Sequence, residues 1–166
     1  MKFSSFESLV KALDAANVRY LIAGGLAVNA YGYLRFTKDI DLVVQLAPDN
    51  IEHAFSALQG LSYRPVVPIT AAQFSDTTQR ERWIRDKGMK VLQFWSDAHR
   101  ETPIAVFVIE PFDFDDEFGN ATPKPLGQIT VRFVSTPVLI RMKKAAGRAQ
   151  DKLDITELRK LHPNDA

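Results

Sequence analysis

The segment IAGGLAVNAYG, from Ile22 to Gly32, followed by RFTKDIDLVV, from Arg35 to Val44, decides how this chain is read. The apolar run Tyr20 to Ala23 stops at Gly24 and Gly25, as a buried strand does before a sharp turn. Glycine lets a backbone approach a bulky ligand, and the free N–H groups at a helix start favour an anion. Two glycines alone at a strand end are more often a plain tight turn. Asp39-Ile40-Asp41 then opens a second apolar strand, Ile40 to Leu46, which Pro48 stops. Side chains at i and i+2 share a face, with Cα atoms roughly 6.5–7 Å apart. Two carboxylates so placed repel one another unless a cation lies between them. Mg²⁺ suits such a pair, because it takes hard oxygen ligands and completes its shell with water and phosphates. The alternative is a solvated strand end.

The two halves reinforce each other. Asp39 lies fourteen positions after Gly25. A helix of about nine or ten residues spans roughly 14 Å, and a short return loop brings the carboxylates back beside the glycines. Arg35, Thr37 and Lys38 lie in that loop, within reach of phosphates, or are simply solvated there.

Outward from this core the chain alternates. Phe6, Leu9, Val10 and Leu13 recur at helical spacing, with Ser4 or Ser5 as cap. Helices are expected over Leu26 to Leu34 and Ile51 to Leu61, and in part over Ala72 to Lys87. The stretch Tyr63 to Ala72, with Pro65 and Pro68, reads as irregular. Further strands are expected at Val91 to Trp95, Ile104 to Ile109 and Ile129 to Val134. Phe112 to Thr122 reads as loop with a short helix. Ser135-Thr136-Pro137 marks a helix start; that helix ends at Gly147, and Asp151 to Leu161 forms a last one. The expected fold class is α/β (α+β): a mixed sheet of about five strands with flanking helices and a C-terminal helical pair. The expected organisation is a core over 1–134 and a helical extension over 135–166 packed on the same domain.

Composition sets the bounds. The 166 residues are 46% hydrophobic and 25% charged, which suits one compact domain with a real core. A net charge of +1 gives no bulk attraction to nucleic acid or membrane. Without cysteine there is no disulfide or thiolate metal site. The N-terminus carries Glu7, Lys11 and Asp14 within its apolar pattern, unlike a signal peptide, and no run reaches membrane-spanning length, so a cytoplasmic protein is expected. His53, His99 and His162 have no ligand spacing. Arg80, Arg82, Arg85, Lys87 and Lys90 surround Trp83, a combination able to grip RNA, but Glu81 and Asp86 interrupt it and favour a solvated helix face.

Ile22–Gly32 and Arg35–Val44 resemble the polymerase-β-like nucleotidyltransferase superfamily, and within it the small AbiEii/AbiGii-type toxins and minimal nucleotidyltransferases. The C-terminal VSTPVLIRMKKAAGR, Val134 to Arg148, with DKLDI, Asp151 to Ile155, is similar to that branch's closing helices, with Gln150 where its pattern has lysine. The resemblance implies that Gly24 and Gly25 hold the triphosphate of an NTP. It implies that Asp39 and Asp41 bind Mg²⁺, or Mn²⁺ in its place, and that Lys143 or Lys144 reaches the nucleotide. Arg148, Asp151 and Asp154 would tie the last two helices together. Active members carry a third carboxylate on a later strand, which aligns here with Ala105; Glu110 is the candidate substitute, although five residues of strand cover about 16 Å.

The implied activity is transfer of a nucleoside monophosphate to an RNA or protein hydroxyl, in a toxin–antitoxin or phage-defence setting. Its rival is a degenerate domain that binds a nucleotide or a cognate toxin or antitoxin protein. A small-molecule adenylyltransferase, such as an aminoglycoside-modifying relative, is a third option.

Overall fold

The computed structural model describes residues 1–121 and 123–165. The chain opens with α1 (Phe3–Ala15), β1 (Tyr20–Ala23), α2 (Gly24–Ala30), β2 (Ile40–Val44) and α3 (Pro48–Gly60). Next come β3 (Arg64–Pro65), α4 (Ala71–Ser75), α5 (Thr77–Lys87), β4 (Val91–Trp95), β5 (Ile104–Phe107) and α6 (Phe114–Asn120). The ribbon β6 (Pro123–Leu126) and β7 (Ile129–Arg132) precedes the closing helices α7 (Thr136–Ala146) and α8 (Ala149–Leu161). Among these elements no helix is long and apolar enough to cross a membrane.

The mixed α/β architecture expected from the sequence is present. Five strands form one sheet in the order β1-β2-β5-β4-β3. Only β2 and β5 run parallel; the other neighbours are antiparallel. Apolar residues on this sheet, among them Ile22, Leu42, Ile104 and Leu92, are buried with Phe6, Leu9 and Leu13 of α1 and Ile51 and Leu58 of α3. Phe55 of α3 packs edge-on against Phe94 of β4, placing α3 on the face that carries Leu92 and Phe94. The opposite face of β4, with Gln93 and Trp95, is only partly covered, and Trp95 remains 45% exposed.

The membership of the sheet differs from the sequence-based expectation. Its fifth strand is β3, inside the stretch read as irregular, because Pro65 sits at the sheet edge where a missing N–H is tolerated. Ile129–Arg132 pairs instead with β6, a strand hidden from sequence reading by Pro123 and Pro125, and joins the main sheet only through the bridge from Ile22 to Phe133. Helix α2 stops at Ala30 rather than reaching Leu34; Gly32 follows with φ +109°, and Leu34 is exposed. Neither Ser4 nor Ser5 caps α1, which begins at Phe3; Ser5 is buried, its hydroxyl 2.8 Å from His99 Nδ1. Ala72–Lys87 resolves into two helices, the first opened by a Thr70–Gln73 capping box and the second by Asp76. Within the basic cluster Arg80 is buried, bonded to the Phe74 carbonyl and set over its ring, so that part is not a solvated face.

Candidate active site

The β1–α2 turn and the start of β2 meet as the sequence suggests. Asp41 pairs in register with Ala23, the residue before the glycines. Gly24 has φ +63°, and a Cβ there would overlap the Asp41 carboxylate. A Cβ on Gly25 would lie 2.5 Å from Thr37 Oγ1. The two glycines therefore make room for Asp41 and Thr37, so the start of α2 presses directly on the carboxylate. A side chain at either position would displace that contact.

Asp39 and Asp41 are half-buried, and no salt bridge reaches either of them among the described residues. Burial, and then the neighbouring charge of Asp39, push the Asp41 carboxyl up to about 6, against the pull of Lys143, Arg148 and Arg35. Two adjacent carboxylates with no protein cation bonded to them form a hard-oxygen donor set that suits Mg²⁺.

The remaining candidate residues divide. Arg35 is spoken for within the chain: its Nε and Nη2 each donate to Asp154 at 2.7 Å, and Nη1 donates to the Phe36 carbonyl at 2.8 Å. Lys143 is 4% exposed and held between Asp151, at 3.1 Å, and Asp154, at 2.7 Å. Its ammonium acts on Asp41 through space and does not extend outward to a ligand. Arg148 closes the cluster on Asp151, and Gln150 donates to Asp154 at 2.9 Å. Burial alone would raise both α8 carboxyls. Hydrogen bonds from Arg148 and Lys143 to Asp151, and from Arg35, Lys143 and Gln150 to Asp154, outweigh it and hold both below the usual carboxylate range. The signal for this cluster was in the sequence as the i, i+3 spacing of Asp151 and Asp154. Its reach to Arg35 in the loop before β2 was not. Lys38 is exposed in that loop.

The third carboxylate position is now geometric. Asp41 pairs with Ala105 across the parallel β2–β5 ladder, so the two side chains face the same way from adjacent strands. Glu110 is not brought there. It lies past the C-terminal end of β5, lining a cavity of about 300 Å³ with Leu46, Thr77 and Arg80, at the end of the parallel pair opposite Asp41. Among the described residues no three of His, Cys, Asp or Glu converge as a metal cluster.

The arrangement of sheet and helices is nucleotidyltransferase-like, and solved structures share that fold. The lincosamide antibiotic adenylyltransferase LnuA, with lincomycin bound, superposes with a TM-score of 0.64 at 11% identity, over 97% of this chain and 98% of that one. The antibiotic-resistance factor ANT(2'')-Ia gives 0.64 at 13% identity, over 99% and 88%. An antigenic nucleotidyltransferase-like protein from Paracoccidioides brasiliensis gives 0.53 at 19% identity, over 93% and 72%. Likeness at these identities establishes the fold and does not extend to the AbiEii/AbiGii branch. No protein-family model and no curated protein sequence matches the chain.

Proposed function

We propose that this chain binds an NTP with Mg²⁺ at Asp39 and Asp41 and transfers its nucleoside monophosphate to an acceptor hydroxyl. The observation that carries the reading is the pair of carboxylates without salt-bridge partners, on which the Gly24 turn presses, in a fold shared with a lincosamide antibiotic adenylyltransferase over nearly its whole length. When bound, Mg²⁺ neutralises phosphate charge and activates the reacting oxygens. The chain's own part is positional. Backbone N–H groups at Gly24 and Gly25, with Thr37 and Lys38, line the phosphate side. Arg35, Lys143 and Arg148 supply positive potential there while remaining bonded to Asp151 and Asp154. Placement among AbiEii/AbiGii-type proteins, with a cognate toxin or antitoxin as partner, rests on the sequence motifs alone.

One observation favours a second reading, a nucleotide-binding module without turnover: Ala105 stands in register with Asp41 and offers no base to the acceptor. Calorimetry with each NTP, with and without Mg²⁺, and transfer from α-labelled NTP separate the two. Mg²⁺-dependent binding with transfer, both lost in Asp39→Ala/Asp41→Ala protein, supports the enzyme. Binding without transfer, with transfer gained in Ala105→Asp, supports the module. Transfer that persists in the double variant sinks the site assignment.

A further inference from the structure

The carboxylate pair divides the sheet face into two unlike halves. On the β1 side stand the glycine turn and the cations that act on Asp41, namely Lys143, Arg148 and Arg35. A triphosphate is drawn to that side. On the β5 side the row continues from Asp41 to Ala105 and from Ala105 to Gln93 of β4, all in register and facing one way. At about 4.8 Å per strand, Gln93 lies roughly 10 Å from Asp41. Because β4 runs antiparallel to β5, the next residue on this face of β4, Trp95, lies toward Pro103. The Pro103 carbonyl accepts from Ile40 N, next to Asp39. Trp95 therefore sits in the row of Asp39, two strands across. It is 45% exposed although β4 is an interior strand, and its register partner on β3 is Arg64. Arg64 is exposed and has no salt bridge among the described residues. On the nearby β4–β5 loop Asp97 is engaged by Arg100 at 3.5 Å, and Glu101 is exposed with no salt bridge among the described residues.

Phosphoryl-group displacement places the attacking and leaving oxygens in line. With pyrophosphate leaving on the cationic β1 side, the acceptor must enter from the β5 side, over Ala105. We infer that the Ala105–Gln93–Trp95–Arg64 surface is the acceptor site and that the acceptor is a ribonucleotide hydroxyl, free or at the end of an RNA strand. This rests on the function proposed above. An indole face stacks a base irrespective of its identity, and a free guanidinium beside it meets the phosphate. Gln93 offers both a donor and an acceptor to ribose hydroxyls. In the reaction, the acceptor oxygen bonds to the α-phosphorus as the bond to the bridging oxygen breaks. Pyrophosphate leaves, and the hydroxyl proton passes to solvent, since Ala105 cannot take it.

The test is binding of fluorescein-labelled hexaadenylate RNA to the full chain, followed by anisotropy, with AMP and the aminoglycoside kanamycin as competitors. Calorimetry with Mg·ATP runs alongside. Trp95→Ala is expected to weaken RNA binding at least ten-fold and Trp95→Phe less than three-fold. Arg64→Gln is expected to weaken it about three- to ten-fold and to flatten its salt dependence. Mg·ATP affinity stays within two-fold in all three. Competition by AMP identifies a single-nucleotide acceptor; competition only by longer RNA identifies a strand end. RNA binding indifferent to Trp95→Ala, or competition by kanamycin and not by AMP or RNA, overturns the inference. Failure of wild-type protein to bind Mg·ATP, with RNA binding intact and dependent on Trp95, overturns the nucleotide reading and leaves the surface standing as an RNA site.

Discussion

Two aspartate pairs in this chain are built from the same groups and treated in opposite ways. Asp151 and Asp154, one helical turn apart on α8, are buried and receive Lys143, Arg148, Arg35 and Gln150. Asp39 and Asp41, on one face at the start of β2, have no salt bridge among the described residues. The nearest cations are bonded to the α8 pair and reach Asp41 only through space. The first pair is a finished electrostatic unit that fastens α7, α8 and the Arg35 loop. The second is unfinished, and the desolvation that raises Asp41 is the cost of keeping it so. A fold that can neutralise one pair completely and leaves the other bare points to a cation supplied from outside.

The largest test removes the shared cation. Lys143→Met leaves two buried carboxylates short of a partner, and breaking a buried ion pair from one side costs about 3–5 kcal/mol. Urea unfolding measures it. A loss below about 1 kcal/mol would break the comparison, because the α8 pair would then not depend on its cation.

Acid acts on the same pair with a definite sign. Asp151 and Asp154 titrate below the usual range when folded. As pH falls, the unfolded chain therefore takes up their protons first, and folding stability is lost progressively below about pH 4. Thermal midpoints between pH 2 and pH 7 should show this step. It should shrink in Asp154→Asn, which starts less stable at neutral pH.

The open pair responds in the other direction. Asp41→Asn removes a desolvated charge beside Asp39 and should stabilise metal-free protein at pH 8 by up to about 3 kcal/mol, since its carboxyl is raised from 3.8 to about 6 and each unit corresponds to about 1.4 kcal/mol. Wild type is expected to melt at a higher temperature on adding Mg²⁺, and the same change should abolish that rise. A variant that is less stable without metal and still responds to Mg²⁺ would mean that Asp41 is a structural residue.

This contrast explains what could be read in the sequence. The glycine turn and the Asp39/Asp41 pair are local patterns whose spacing brings them together, as the Gly24–Asp41 approach shows, whereas the position of Ala105 came from the family resemblance and is in register with Asp41. The engagement of Lys143 by Asp151 and Asp154 is not legible in the sequence, because those partners lie eight and eleven positions on and its burial depends on how α7 meets α8. The pairing of Arg35 is hidden for the same reason, its partner Asp154 being 119 residues distant. Strands β3 and β6 were missed because proline weighs against a strand unless the chain is known to lie at a sheet edge or in a two-stranded ribbon.

The smallest effect sharpens the comparison at its weakest point, the absent third carboxylate. Glu110 is the acidic residue that the sequence offers as substitute, and β5 carries it away from Asp41 along a strand parallel to β2. Its carboxylate acts instead on Arg80, whose guanidinium burial lowers and the Glu110 charge partly restores. Glu110→Gln should therefore leave Mg·NTP affinity within two-fold of wild type while Ala105→Asp strengthens metal binding, because a carboxylate at 105 faces the same way as Asp41 from the adjacent strand. Calorimetry with Mn²⁺ and with Mg·ATP reads both changes. A ten-fold loss in Glu110→Gln would require a chain register other than Asp41 with Ala105, and the division between an open pair on β2 and a closed pair on α8 would have to be redrawn with Glu110 as its third member.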